Sequence, residues 1–136
     1  MRDYILVYIN GKRFTIPGHQ AMMNASDYLR YELNLKGTKI VCAEGDCGAC
    51  TVLRHFYYQD ISFGYLTTVN SCIIPMFLLD CNHLITVEGL GDHNNLHPIQ
   101  EAMVDCHGSQ CGYCTPGFVV SLYSLFNSFK KQTSWG

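Results

Sequence analysis

Short apolar runs separated by turn residues dominate the first half of the sequence, which is the pattern of a small sheet. The runs are rich in β-branched and aromatic residues, and the first two flank Asn10-Gly11, a strong signal for a two-residue hairpin turn. Pro17-Gly18 ends that hairpin, and a Gln59-Asp60 turn is expected between the next two runs. The predicted extended segments are 4–9, 13–16, 51–57, 61–69 and 84–87.

Helical spacing of apolar residues appears in four places. A helix over 27–33 is predicted, with Asn24 or Ser26 as its cap, and a short helix over 71–79. Pro98 is well placed to open a helix over 99–105, and Thr115-Pro116 reads as an N-cap followed by proline for a helix that runs to about residue 130. Helices therefore dominate the second half of the chain.

The last helix is apolar on more than one side. Phe118, Leu122, Leu125, Phe126 and Phe129 form one stripe, which Val119, Val120 and Tyr123 extend around the cylinder. Such a helix needs cover from several directions, and the segment 99–105 alone is too short to give it. We expect further chain, another subunit or self-association to cover this face.

The pattern divides the chain into two predicted parts. Residues 1–91 read as a small α+β domain in which strands surround a helix, and 92–98 is a polar linker. Residues 92–136 read as an all-helical domain. The predicted fold class is therefore α+β.

The composition of the chain excludes some classes of function but does not identify one. The 136 residues are 48% hydrophobic and 15% charged, with a net charge of −2, so a packed core is expected and no basic surface indicates nucleic acid. No apolar run is long enough to predict a membrane span. The start of the chain has no signal-peptide pattern, so we expect a cytoplasmic protein whose eight cysteines serve metal binding rather than disulfides.

Four cysteines carry the clearest chemical signal. Cys42, Cys47 and Cys50 have the C-x4-C-x2-C spacing of a plant-type 2Fe–2S site, and Cys72 can supply the distant fourth thiolate. Gly45 and Gly48 suit a loop wrapped around a cluster, because glycine accepts positive φ and lets amide groups face the sulfurs. The scattered histidines, by contrast, are expected to be surface or packing residues.

The other cysteines leave alternatives open. A zinc site on Cys47, Cys50, Cys111 and Cys114 is one, although it would give Cys42 and Cys72 no role. Cys111-x2-Cys114 also resembles a thioredoxin motif, but no strand leads into it. Cys106 repeats the first spacing relative to Cys111 and Cys114, yet we expect Cys106 and Cys81 to be buried core residues.

Five segments together resemble the iron–sulfur region of xanthine dehydrogenase and its molybdenum hydroxylase relatives. They cover nearly the whole chain, in order, and the EGD form of the first loop is most similar to the small subunit of bacterial xanthine dehydrogenases. The segments are CAEGDCGACTV at 42–52, VNSCI at 69–73, ITVEGLG at 85–91, HPIQEA at 97–102 and HGSQCGYCTPGF at 107–118.

This resemblance implies a β-grasp, plant-ferredoxin-like domain with one 2Fe–2S cluster on Cys42, Cys47, Cys50 and Cys72. It also implies a helical-bundle domain with a second cluster on Cys111, Cys114 and two cysteines of a later C-x-C motif. In the family, electrons from a purine at the molybdenum cofactor pass the second cluster and then the first to reach FAD and NAD. By the same resemblance, Gln110 contacts the molybdopterin held by a partner.

The chain departs from that pattern after Phe129, where no C-x-C follows, so the helical domain is expected to be truncated and its cluster incomplete. The sequence therefore predicts an electron-transfer component of an oxidoreductase that carries no substrate site of its own. FAD and the molybdenum cofactor are expected on partner domains or subunits. The alternative is a stand-alone 2Fe–2S ferredoxin-like carrier.

Overall fold

The computed structural model describes residues 2–56 and 65–133, which form a mixed five-stranded sheet with helices packed around it. The predicted α+β class is confirmed. The strands are β1 Tyr4–Ile9, β2 Lys12–Pro17, β3 Thr51–Phe56, β4 Tyr65–Asn70 and β5 His83–Ile85. The helices are α1 Gly18–Ala21, α2 Ala25–Asp27, α3 Pro98–Asp105 and α4 Thr115–Thr133.

The sheet has the order β2-β1-β5-β3-β4, and only the β1–β5 pair is parallel among the pairings of the described strands. The predicted hairpin is confirmed, since Ile9 pairs with Lys12 across Asn10 and Gly11. Both turn residues have positive φ, 48° and 81°, which is the conformation that a two-residue primed turn requires. The expected Gln59-Asp60 turn lies outside the described residues.

The core lies between the sheet and the segment 21–29. Val7, Ile9 and Ile16 from the hairpin meet Leu29 and Leu84, and none of the five is more than 2% exposed. Burial of this apolar surface supplies the main driving force for the fold. The core therefore contains residues from both the start and the end of the first 90 residues, and their packing holds β5 beside β1.

The helix predicted over 27–33 begins earlier and changes its winding. Asn24 occupies the N-cap position without a side-chain capping hydrogen bond, whereas Ser26 is buried inside α2. From Tyr28 to Glu32 the helix continues with π-type winding, and Tyr28 and Leu29 are buried as their spacing predicted. The short α1 was not predicted, because Pro17-Gly18 indicated only a break.

The helix predicted over 71–79 is wrong for its first half. Only Met76–Leu79 is helical, as a 3-10 turn, because Pro75 disfavours helical geometry at the residue before it. The chain at 74–75 instead pairs with the α2 N-terminus, where the amide of Ala25 donates to the carbonyl of Ile74 at 2.8 Å. The strand predicted over 84–87 is also shorter, because a 3-10 turn begins at Val87.

The two helices predicted in the second half are confirmed. Pro98 opens α3, and His97 and Gln100 form a reciprocal capping box at its start. On α4, Val119 and Val120 are buried against the sheet side. The apolar stripe that was expected to need cover from outside this helix pair is largely exposed, with Phe118 at 63% and Phe129 at 58%.

Across the described ranges, none of the helices is both long enough and apolar enough to cross a bilayer.

Candidate metal centre

The loop from Cys42 to Cys50 is bent by three residues with positive φ. Ala43, Gly45 and Gly48 have φ values of 56°, 82° and 75°. Successive residues in such conformations turn their amide groups inward and form a concave surface that favours an anion. The loop backbone is therefore shaped to surround negatively charged sulfur.

Cys42 receives most of those amide groups. The Cys47 amide donates to the Cys42 sulfur at 3.4 Å. That bond, with further amide donation from Glu44 and Asp46, lowers the pKa of the Cys42 thiol to about 6. The loop thus stabilises a thiolate at position 42 even though neither Glu44 nor Asp46 is buried.

Cys72 arrives from the turn that follows β4 and closes the site from the other side. It is 4% exposed, and burial followed by the neighbouring Cys50 thiol raises the pKa of the Cys72 thiol to about 11. Cys42 is also near enough to raise this pKa, and the nearby Gly45 amide lowers it in part. The cysteine most distant in sequence is therefore in contact with the loop.

The four sulfurs consequently fall into two contacting pairs. Cys42 contacts Cys47, Cys50 contacts Cys72, and Cys42 lies in electrostatic range of Cys72. Two thiolates for each of two irons is the donor set of a 2Fe–2S cluster. Within residues 2–56 and 65–133, no group of three or more His, Cys, Asp or Glu side chains is placed to hold a single metal ion.

Three side-chain hydrogen bonds fix the loop to the sheet. Asn70 donates to the Gly45 carbonyl, Ser71 to the Cys50 carbonyl and Thr51 to the Gly48 carbonyl, each at 2.6 Å. Asn70 and Ser71 end β4 and begin the Cys72 turn, so they couple the two sides of the site. The sequence patterns did not predict these anchors, although Asn70 and Ser71 directly precede Cys72 and Thr51 directly follows Cys50.

The second cysteine loop is open to solvent. Gln110, Cys111 and Cys114 are all exposed, and Gly112 has a φ of 85°. One contact ties this loop to the first half of the chain, because the ammonium group of Lys39 lies 6.0 Å from the centre of the Tyr113 ring. The zinc alternative needs Cys47, Cys50, Cys111 and Cys114 around one ion, and the described residues contain no group of three or more side chains placed in that way.

Two cysteine predictions are wrong. Cys106 and Cys81, expected in the core, are both exposed. Cys106 is the C-terminal cap of α3 and so lies beyond its packed turns. Cys81 has a φ of 59° in the turn before β5, where its sulfur lies 3.8 Å from the Arg2 guanidinium. The structure forms no disulfide bond among the eight cysteines, all of which lie within the described residues.

Comparisons with known proteins agree with this geometry. Residues 7–76 match the 2Fe-2S iron-sulfur cluster binding domain family, and residues 86–135 match a second family described as a [2Fe-2S] binding domain. Xanthine dehydrogenase 1 from Arabidopsis thaliana is 45% identical over 95% of this chain, and xanthine dehydrogenase/oxidase from Mus musculus is 40% identical over 96%. The chain belongs to the iron–sulfur region of the molybdenum hydroxylase family.

Solved structures extend the comparison to the fold. The aldehyde oxidoreductase of Desulfovibrio gigas matches 92% of this chain with a TM-score of 0.79 and 35% identity. Quinoline 2-oxidoreductase from Pseudomonas putida 86 matches 90% of this chain and 68% of its own chain, with a TM-score of 0.73 and 31% identity. The chain spans only about 10% of the length of the xanthine dehydrogenases named above.

Proposed function

We propose that Cys42, Cys47, Cys50 and Cys72 hold one 2Fe–2S cluster, with Cys42 and Cys47 on one iron and Cys50 and Cys72 on the other. The observation that carries this proposal is the contact between Cys72 and Cys50, which closes the site across 22 residues of sequence. The bound cluster supplies one-electron redox chemistry. The amides of Gly45 and Cys47 face the sulfurs, so they stabilise the charge added on reduction and tune the potential.

The finer architecture is part of the proposal. We assign residues 1–91 to a β-grasp, plant-ferredoxin-like domain and 92–136 to an incomplete all-helical, bundle-type domain. The parallel β1–β5 pair beside the β1–β2 hairpin supports the first assignment. The packing of α3 beside α4 supports the second, because two helices are the start of a bundle.

Cys111 and Cys114 form half of a second cluster site in this proposal. They are exposed, and the 136 residues supply no later C-x-C pair to complete the set. The first cluster is therefore expected to form on these 136 residues alone. The second requires two further ligands from outside these residues. Gln110, exposed beside Cys111, is the proposed contact to molybdopterin in a partner.

The proposed role is a relay in a xanthine dehydrogenase-type enzyme. Electrons taken from a purine at a partner's molybdenum cofactor would pass through this chain toward FAD and NAD on other domains or subunits. Identity of 45% to an Arabidopsis xanthine dehydrogenase, against 40% to a probable aldehyde oxidase of Caenorhabditis elegans, favours the purine branch. We place the protein in the cytoplasm, in keeping with its eight free cysteines.

An assembled enzyme explains the apolar face of α4 better than a free carrier does. Phe118, Leu125 and Phe129 are each more than half exposed. A groove of about 460 Å³ between α3 and α4 adjoins Leu125 and Phe129, and its lining is almost wholly apolar. Exposed apolar surface of this kind marks a contact with other protein, which a carrier moving freely between partners would not display.

Anaerobic reconstitution with iron and sulfide tests the proposal. We expect about two irons and two sulfides per chain, a reddish-brown colour, and a single paramagnetic signal after one-electron reduction. A colourless chain that binds zinc instead, or two distinct iron–sulfur signals, would contradict it. Recovery of a molybdenum subunit with the tagged chain would then separate the relay role from that of a free carrier.

A further inference from the structure

Gly117 packs so closely against another part of the backbone that a residue with a side chain would not fit at this position. It is buried in the first turn of α4, and a Cβ atom placed there would lie 2.3 Å from the Gly48 carbonyl oxygen. The same atom would lie 3.2 Å from both the Cα and the carbonyl oxygen of Ala49. The helix backbone therefore rests directly on the backbone of the first cysteine loop.

The residues in this contact lie close in sequence to both cysteine motifs. Gly48 and Ala49 are the two residues between Cys47 and Cys50, and Gly117 follows Cys114 by three positions. The Phe118 amide donates to the Cys114 carbonyl at 3.1 Å, so Cys114 is fixed to the same helical turn. Cys47 and Cys114 also line one cleft of about 280 Å³ beside the contact.

The loop side of the contact is held in place. The Gly48 carbonyl accepts hydrogen bonds from the Thr51 amide at 3.1 Å and from the Thr51 hydroxyl at 2.6 Å. The obstructing atoms are backbone, so they cannot rotate away as the end of a flexible side chain would. Glycine is also a poor helix former, which makes close approach the physical reason for its presence at this position.

We infer that Gly117 is a positioning residue that sets the separation between the Cys111–Cys114 site and the first cluster. The inference rests on the proposed relay function. One-electron transfer between the two sites breaks no bond, and its rate falls steeply as the separation grows. Any side chain at 117 would lift α4 off the loop and lengthen the path by which the first site is reduced.

Fluorescence quenching by the oxidised first cluster measures this separation. Cys81, Cys106 and Cys114 are changed to serine, and a visible-absorbing dye is attached to the exposed Cys111. In the cluster-loaded parent we expect strong quenching that disappears when a chelator removes the iron. In Gly117→Ala, at equal iron content, we expect loss of part of that quenching. Equal quenching in the two proteins, or none in the loaded parent, would overturn the inference.

Ser121→Ala is the matched control, because Ser121 lines the same cleft one turn further along α4 and is exposed. It should leave the quenching unchanged. The melting temperature gives a second readout, since helix propensity alone predicts that Gly117→Ala stabilises the chain. We expect a lower melting temperature instead, and a higher one would contradict the contact. Failure of the parent to bind iron would reject the proposed function, whereas the melting-temperature test would still stand.

Discussion

Two cysteine motifs with the same spacing have opposite structures in this protein. Cys42-x4-Cys47-x2-Cys50 and Cys106-x4-Cys111-x2-Cys114 are indistinguishable by spacing. The first includes a buried cysteine and is closed by Cys72, whereas all three cysteines of the second are exposed. Spacing alone therefore does not define a cluster site.

The difference lies in what surrounds the sulfurs. In the first loop, amide groups lower the pKa of the Cys42 thiol to about 6, while burial raises that of Cys72 to about 11. A buried thiol of this kind is costly to ionise unless a metal supplies positive charge, so metal binding and loop closure are coupled. In the second motif, Cys106 ends a helix and all three cysteines are exposed.

Removal of the fourth thiolate, Cys72, is expected to have the largest effect that distinguishes the first cysteine motif from the second. Cys72→Ser should abolish cluster retention, because a weak hydroxyl replaces the thiolate that closes the site. Iron per chain and visible absorption after desalting measure the loss. Cys114→Ser is the matched control and should keep the iron of the parent chain. Equal iron loss in both variants would show that the two motifs act together.

The glycines of the two loops provide a smaller, paired test. Gly45 and Gly112 have nearly the same φ, 82° and 85°. Alanine at either position should cost about 1 kcal/mol of unfolding free energy for the left-handed backbone. At Gly45 the new Cβ would also lie 2.6 Å from the Ile73 Cδ1, but that atom ends an exposed side chain that can turn aside, so we expect no large additional cost.

Urea unfolding of the two glycine variants gives the free energies, and iron content shows whether the cluster is kept. Gly45→Ala should bind iron more weakly than Gly112→Ala, because strain at residue 45 displaces the backbone amide that faces the Cys72 sulfur. Equal effects on iron binding would mean that the inward amide of Gly45 contributes nothing specific to the first loop.

Two serine hydroxyls give the smallest contrast. Ser71 is fully buried and donates to the Cys50 carbonyl at 2.6 Å, whereas Ser109 pairs with Thr115 at 2.7 Å on the exposed second loop. Ser71→Ala should lower the unfolding free energy by about 1 kcal/mol. Ser109→Ala should change it by less than about 0.5 kcal/mol. Thermal unfolding monitored by circular dichroism compares the two, and a reversed order would contradict the closed-versus-open account.

Local patterns predicted much of this structure. The Asn10-Gly11 hairpin follows from turn chemistry, and the Pro98 helix start follows from the requirements of a helix N-terminus. Spacing and resemblance predicted a cluster on Cys42, Cys47, Cys50 and Cys72; Cys72 lies beside Cys50, and the cluster itself stays a prediction.

The misses have long-range causes. The helix expected from 71 fails because Pro75 favours extended backbone and pairs with the distant Asn24. The exposure of Cys81 and Cys106 depends on where a turn and a helix end lie in three dimensions. The Gly117 contact is a tertiary approach between segments almost 70 residues apart, and no local pattern encodes it.

Alkylation of the native, iron-loaded chain tests the central claim most directly. Iodoacetamide is applied before unfolding, a second label of different mass is applied after it, and each cysteine is identified by peptide mass spectrometry. We predict that Cys42, Cys47, Cys50 and Cys72 are protected, and that the four exposed cysteines outside the proposed first-cluster site react. Native modification of Cys72, or protection of Cys111 and Cys114, would contradict the account.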